Sequence, residues 1–269
     1  MKHFLMCDPK FFGVCYVINP WMKGNQGKVN KALARHQWQN LHDIVEGMAS
    51  VSLIDPVEGL PDMVFTANAG LVHGKDVILS SFLHAERQPE SNHFERFFSS
   101  LGYNVKHIGE GTIFEGAGDA LFDTQGRLWL GSGIRSDAHA LGEIKAVFDV
   151  EGSGLKVKGV ELVDPHWYHL DTAFCPLPQG QAIAYTNAFS ERSVTALNAA
   201  FGENIVWVSE EDAKNFSCNA VAIGQAVIMH RASDELKATL LQRGFRVIET
   251  DVSEFFKAGG ACKCLTLEI

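Results

Sequence analysis

Three short runs carry the residue types of nucleophilic catalysis. His169-Leu-Asp171 sets an imidazole and a carboxylate two positions apart, which on a strand would project them to one face. Phe114-Glu-Gly-Ala-Gly-Asp119 offers the carboxylates Glu115 and Asp119 on a glycine-rich approach, and Gly259-Gly-Ala-Cys-Lys-Cys264 ends in a thiol beside Lys263. A thiol next to a cation after a glycine loop is a candidate nucleophile. An imidazole is the commonest general acid or base, and a carboxylate behind it orients the ring and raises its basicity.

Each residue also has an ordinary reading. A lone histidine is usually a surface or core residue, a Glu beside glycines is more often a solvated turn residue, and most cysteines are small buried hydrophobes. The other histidines and Cys7, Cys15, Cys175 and Cys218 receive those readings. Cys262 shares the loop of Cys264 and stays a rival for the nucleophile.

A repeat would bring the runs together. Four segments share one pattern: a polar residue, a short apolar strand, a turn and a second strand. They start at Asn68, Asp119, Asp171 and Asn219, and a fifth start, Cys264-Leu-Thr-Leu, closes the sequence; the spacings are 51, 52, 48 and 45 residues. Periods of this size signal repeat architecture. Helix-like segments follow, 88–101 ended by Gly102 and 232–241 ended near Gly244, each leading into another strand. The unit is strand–turn–strand–helix–strand. The last strand needs a partner, and the run at Phe4-Leu-Met6 is unclaimed, which would close a ring of about five units. An open α/β sheet with look-alike hairpins is the alternative; the near-constant spacing favours the ring. Equivalent positions would then meet near an axis: Asn68, Asp119, Asp171 and Cys264, with the place of Asn219 left open. Two carboxylates, an amide and a thiol are costly to bury together without a ligand.

Composition bounds the rest. The chain has 269 residues, 46% hydrophobic and 20% charged, with a net charge of −9. No linker or composition shift divides it, so one catalytic domain spanning 1–269 is expected. The acidic balance argues against nucleic acid or an anionic membrane as main partner and says nothing against a small-molecule substrate, since a local acidic pocket could still hold a small cation. The N-terminus lacks a signal-peptide pattern, and no run reaches the ~18 apolar residues of a membrane span. Six cysteines without a secretion signal read as reduced thiols of a cytoplasmic protein. Cys262-Lys-Cys264 is too tight for a zinc arm, so no metal is expected. A homo-oligomer is compatible with the sequence and is not specified by it.

The three runs together resemble the guanidine-modifying or pentein superfamily, which includes arginine deiminases, dimethylarginine hydrolases, amidinotransferases and succinylarginine dihydrolases. Phe114-Glu-Gly-Ala-Gly-Asp119 resembles its Glu-Gly-Gly-Asp motif, His169-Leu-Asp171 its His-x-Asp, and 259–267 its glycine-rich run into the nucleophilic cysteine. The resemblance implies an α/β fold, a five-bladed pseudo-symmetric α/β propeller of ββαβ repeats around the site. It implies catalysis by Cys264, His169 and Glu115, with Asp119 and Asp171 on a guanidinium. Arg87 and Arg135 would hold a carboxylate, Asn19 would touch the substrate, and no cofactor would be needed. The segment 19–27, with Gly24 and Gly27, could act as a lid.

Pro61-Asp-Met-Val-Phe-Thr-Ala-Asn68-Ala-Gly70 and Ile18-Asn-Pro-Trp-Met22 resemble the arginine dihydrolase branch, whose longer relatives carry a C-terminal ornithine cyclodeaminase domain. That second activity is expected to be absent here. Deiminases carry Asp where this chain has Asn68. Two carboxylates around a guanidinium bind a cation well but repel the urea oxygen of citrulline. An amide offers a donor and an acceptor, so Asn68 could hold citrulline for a second attack. The resemblance thus implies conversion of arginine to ornithine, carbon dioxide and two ammonia through a covalent thiouronium. Alternatives are a deiminase stopping at citrulline, a hydrolase of dimethylated or otherwise modified arginine, and a non-catalytic amino-acid-binding protein. A cysteine peptidase on another fold would leave the acidic residues at one repeat phase unexplained.

Overall fold

The computed structural model describes residues 2–148 and 155–269; Met1 and 149–154, within the expected 1–269 domain, lie outside the described residues. The apolar pairs around each turn fold as hairpins, and every hairpin gains a third strand. The strands are β1 (His3–Cys7), β2 (Ser50–Ile54), β3 (Gly70–His73), β4 (Asp76–Leu79), β5 (Asn104–Lys106), β6 (Ala120–Phe122), β7 (Arg127–Ser132) and β8 (Lys156–Glu161). They continue with β9 (Phe174–Leu177), β10 (Gln181–Ala184), β11 (Ile205–Trp207), β12 (Val221–Ile223), β13 (Ala226–Met229), β14 (Arg246–Glu249) and β15 (Leu267–Glu268). Five three-stranded sheets result: β3-β4-β5, β6-β7-β8, β9-β10-β11, β12-β13-β14 and β15-β1-β2.

In each sheet the first two strands are antiparallel and the third lies parallel to the middle one. A short turn suffices for the antiparallel pair, whereas a parallel neighbour needs a crossover. Helices supply the crossovers: Lys31–Glu46, Glu90–Ser100, Ala140–Phe148, Glu191–Phe201 and Asp234–Gln242. The fifth unit is split between the ends of the chain, with Leu5 opposite Leu267 across the β1–β15 ladder.

The expected five-bladed propeller is not what the strands build. A propeller blade is typically a four-stranded sheet. Among the described residues each sheet stops at three strands, no ladder passes from one sheet to the next, and none closes into a barrel or curls as a blade must. Connectivity explains the difference. The hairpin fills one side of the middle strand, the crossover fills the other, and the chain then leaves for the next unit with no segment left to extend the sheet. What recurs is the ββαβ unit itself. Neighbouring units touch through isolated bridges, Ser81 with Phe114 and Leu162 with Phe189.

Middle strands are the most apolar and form the packed layer. Val77, Ile78 and Leu79, Leu128 to Leu130, Ala182 to Ala184, and Val227 to Met229 are all buried. The helices press apolar faces onto them, for example Phe94 and Phe98 from one and Leu197 and Phe201 from another. Burying side chains of this size stabilises by about 1.5–3 kcal/mol each. The rigid sheets leave the turns that precede β3, β6, β9 and β15 as the places where polar groups meet.

Candidate active site

The residues that open each unit sit in turns rather than in strands. Asn68 lies in the 3₁₀ turn Thr66–Ala69, Glu115 and Asp119 flank the turn Gly116–Gly118, and Cys264 sits in a turn before β15. The strand expected for His169-Leu-Asp171 is absent. His169 is extended (φ −120°, ψ 152°), but Leu170–Ala173 is one helical turn that contains Asp171. A helical turn points the two side chains apart, and they take different partners. The glycines of the Glu115–Asp119 approach have a steric reason. Gly116 has φ +64°, and a Cβ on Gly118 would run into the Asn68 amide.

His169 Nε2 lies 2.7 Å from Glu115 Oε2 and 3.9 Å from Asp119 Oδ2. Glu115 also accepts from Arg135 Nη1 at 2.8 Å and from the Leu83 N–H at 3.2 Å. Burial alone would push the Glu115 carboxyl up, but Arg135 and His169 hold it well below the usual carboxylate range. For His169 burial wins over the pull of Glu115, and its pKa falls to about 4. The resting pair is therefore a neutral imidazole against an ionised carboxylate. Asp119 accepts from Ser136 Oγ at 2.6 Å and from the Leu170 N–H at 3.0 Å. Burial, with Glu115 and Asp171 nearby, raises its pKa well above normal despite those bonds.

The second group centres on sulfur. Cys264 Sγ is 3.5 Å from Asp171 Oδ2 and receives the Asn219 amide N–H at 3.1 Å. Burial pushes Asp171 up to about 6, against the pull of Lys263. Burial and Asp171 keep the Cys264 thiol well above the ordinary cysteine value. Cys262 is fully buried in an apolar cluster, and burial raises it too; its sulfur does not line the cleft.

One narrow cleft joins the two groups. It is lined by Asn19, Asp62, Asn68, Arg87, Arg135, Tyr168, His169 and Cys264, with Ile18, Met22, Phe65 and Ala258. Its open space is about 10 Å³, room for roughly one water. Arg87 is clamped by Glu90 (Nη2–Oε2 2.8 Å) and donates to Asn68 Oδ1 at 3.0 Å, while Asn68 Nδ2 donates to the Glu115 carbonyl at 2.8 Å. Arg135 reaches the Ile18 carbonyl at 2.9 Å and lies over the Tyr168 ring. Asn19 donates to the Ala258 carbonyl at 2.9 Å and caps the turn Pro20–Met22, so the start of the expected lid segment is tied to the cleft wall.

All nine residues singled out from sequence fall in or directly around this cleft. Two residues were missed, and the place of a third, Asn219, had been left open. Asp62 accepts from Tyr16 through Oδ2 and has no partner on Oδ1, although it is 1% exposed. Its run, Pro61-Asp-Met, lies outside the repeat phase, so spacing could not point to it. Tyr168, which donates to the Gly259 carbonyl at 2.8 Å, gave no signal. Asn219 did: it shares the phase of Asn68.

The geometry can be set beside known proteins. A family model described as N,N dimethylarginine dimethylhydrolase, eukaryotic, matches residues 17–269. The bifunctional arginine dihydrolase/ornithine cyclodeaminase AgrE of Nostoc sp. is 47% identical over 99% of this chain. The chain belongs to the pentein superfamily, in its arginine dihydrolase branch. Among other pentein proteins, the N(G),N(G)-dimethylarginine dimethylaminohydrolase of Mycobacterium tuberculosis is 39% identical, covering 100% of this chain and 86% of its own length. The crystal structure of the N-terminal domain of ArgZ bound to product, an arginine dihydrolase from cyanobacteria, superposes with a TM-score of 0.96 at 45% identity, over 99% of this chain and 97% of that one. The chain spans 37% of the length of the curated bifunctional relatives AgrE and ArgZ.

Proposed function

We propose that this pentein is an arginine dihydrolase, hydrolysing arginine to ornithine, carbon dioxide and two ammonia through a thiouronium on Cys264. The observation that carries the reading is the single cleft into which Cys264, His169, Asn68 and the two arginines all open, in a chain 47% identical to AgrE. Residues 1–269 are read as one catalytic domain acting on a small molecule in the cytoplasm, where six free thiols would persist. Among the described residues no helix is long and apolar enough to cross a membrane.

Asp171 and Asp119 receive the guanidinium, whose charge offsets the burial that raises both carboxyls and the thiol in the free state. Arg87 and Arg135 face the α-carboxylate, which suits planar bidentate donors. The unpartnered Asp62 Oδ1 suits the α-ammonium, and Asn19 borders the entrance. Cys264 gives its proton to the neutral His169, and the thiolate adds to the guanidinium carbon. Glu115 stabilises the imidazolium, which protonates the departing ammonia. His169 then takes a proton from water as the hydroxide adds to the thiouronium carbon, and collapse expels the thiolate and forms citrulline. In the second round the thiolate adds to the ureido carbon and ammonia leaves. Hydrolysis of the thiocarbamate yields a carbamate, which loses carbon dioxide to give ornithine.

Asn68 makes the second round feasible. Its amide is held by Arg87 and the Glu115 carbonyl, so a neutral ureido group meets no carboxylate at this position. The test is an end-product assay with purified protein on arginine and, separately, on citrulline. Ornithine with two ammonia per arginine is expected, and Asn68→Asp should halt at citrulline with one. Citrulline accumulating with the unaltered protein would refute the dihydrolase reading in favour of a deiminase. The match to dimethylarginine hydrolases favours a second substrate class, and dimethylarginine belongs in the same assay.

A further inference from the structure

Asn219 opens the fourth unit at the phase of Asn68, Asp119 and Asp171, yet the chemistry above gives it no part. It is fully buried, and its side chain has every bonding position filled. Oδ1 accepts from the backbone N–H groups of Ala261 at 3.2 Å and Cys264 at 3.1 Å. Nδ2 donates to the Asp171 carbonyl at 3.0 Å and to Cys264 Sγ at 3.1 Å. Its own carbonyl accepts from the Lys263 N–H at 3.1 Å. One residue thus ties three positions of the loop that carries the sulfur. The amide cannot turn over, because that would set its NH₂ against two N–H donors and its oxygen against the Asp171 carbonyl. An N–H is therefore aimed at the sulfur in every protonation state.

We propose that Asn219 is a catalytic residue, its amide N–H stabilising the Cys264 thiolate while its oxygen holds the nucleophile loop in place. A neutral thiol draws little from such a donor, whereas a thiolate forms a charge-assisted bond roughly twice as strong as a neutral one. The N–H therefore favours the state that attacks and costs nothing in reorganisation at that moment. No proton passes through Asn219: the S–H bond breaks toward His169, and the amide only meets the charge left behind. The charged groups facing the sulfur are Asp171 from its helical turn and Lys263 from the loop. They oppose one another, which leaves a neutral donor room to act. The proposal rests on Cys264 as the nucleophile and not on the identity of the substrate.

The experiment is alkylation of Cys264 by iodoacetamide across pH without substrate, followed on its own peptide by mass spectrometry in the full chain. Asn219→Ser keeps the position neutral and polar but is too short to reach the sulfur. Asn219→Asp keeps the acceptor for the loop and replaces the donor. Folding is checked by circular dichroism, and if the Ser variant does not fold, Asn219→Thr is read in its place. Both variants should move the alkylation midpoint upward, slowing the reaction at neutral pH by about tenfold per pKa unit. kcat should fall while KM changes little. A folded Ser or Thr variant with an unmoved midpoint overturns the proposal, and so does a shift confined to the Asp variant, which would be charge alone. Loss of arginine turnover in the unaltered protein, with the alkylation shift intact in the variants, would strike the substrate reading and leave this one standing.

Discussion

Two cavities in this molecule differ in everything but their origin. The turns that open the units line a cleft of about 10 Å³. The strands that follow those turns line a larger cavity of about 430 Å³, walled by Phe4, Leu71, Leu121, Phe174, Cys175 and Leu267, with Lys263 among its few polar neighbours. The larger space holds mostly apolar walls and no converging carboxylates. The smaller one holds two arginines, an imidazole, a thiol and an unpartnered carboxylate oxygen. Volume alone would choose the larger cavity; what marks the smaller one as the candidate site is polar groups buried without sufficient partners.

The contrast can be broken by substitution on each side. The largest effect should come from Cys264→Ser, which should cost ~10⁴-fold or more in kcat. Cys175→Ser, in the wall of the larger cavity, should leave steady-state rates near those of the unaltered protein; a collapse there would move the chemistry to the wrong side. Glu115→Gln comes next. It keeps shape but withdraws the charge that supports an imidazolium, and kcat should drop ~10²–10³-fold with folding retained by circular dichroism.

Leu71→Ala should act on stability instead. Urea denaturation should show a loss of about 2–5 kcal/mol, while kcat per folded molecule stays constant. The smallest effect concerns pH. Asp171 is raised to about 6 and must be ionised to receive a cation, so kcat/KM should rise as pH climbs through about 6. His169, held at about 4, is already neutral across that window and should add no limb there. A profile flat from 5 to 7 would count against the assignment of Asp171.

Much of the architecture was legible because turn chemistry and spacing are local. The start of β4 at Asp76 and the helix Glu90–Ser100 before Gly102 follow from patterns within short windows, and the pairing of the last strand with the first follows from the repeat count, which left only the run at Phe4-Leu-Met6 unclaimed. The propeller was not legible, because whether a sheet closes depends on which edges stay unpaired after the crossovers dock. His169-Leu-Asp171 failed for a related reason: an apolar residue between two polar ones fits a strand or a helical turn equally, and packing chose the turn. Asp62 was invisible because its meaning depends on Arg87 and Tyr16, which lie 25 and 46 positions away.

Residue types and a regular period, read along the chain, were enough to single out Asn68, Asp119, Asp171 and Cys264 as candidates, since a repeated unit returns equivalent positions to one place, and to place His169 and Glu115 beside them. Folding in three dimensions settled which of two cysteines faces the cleft, which protons the buried groups keep, and where Asn219 sends its last N–H. Those outcomes depend on desolvation and on distances between groups far apart in sequence, and neither exists until the sheets have packed.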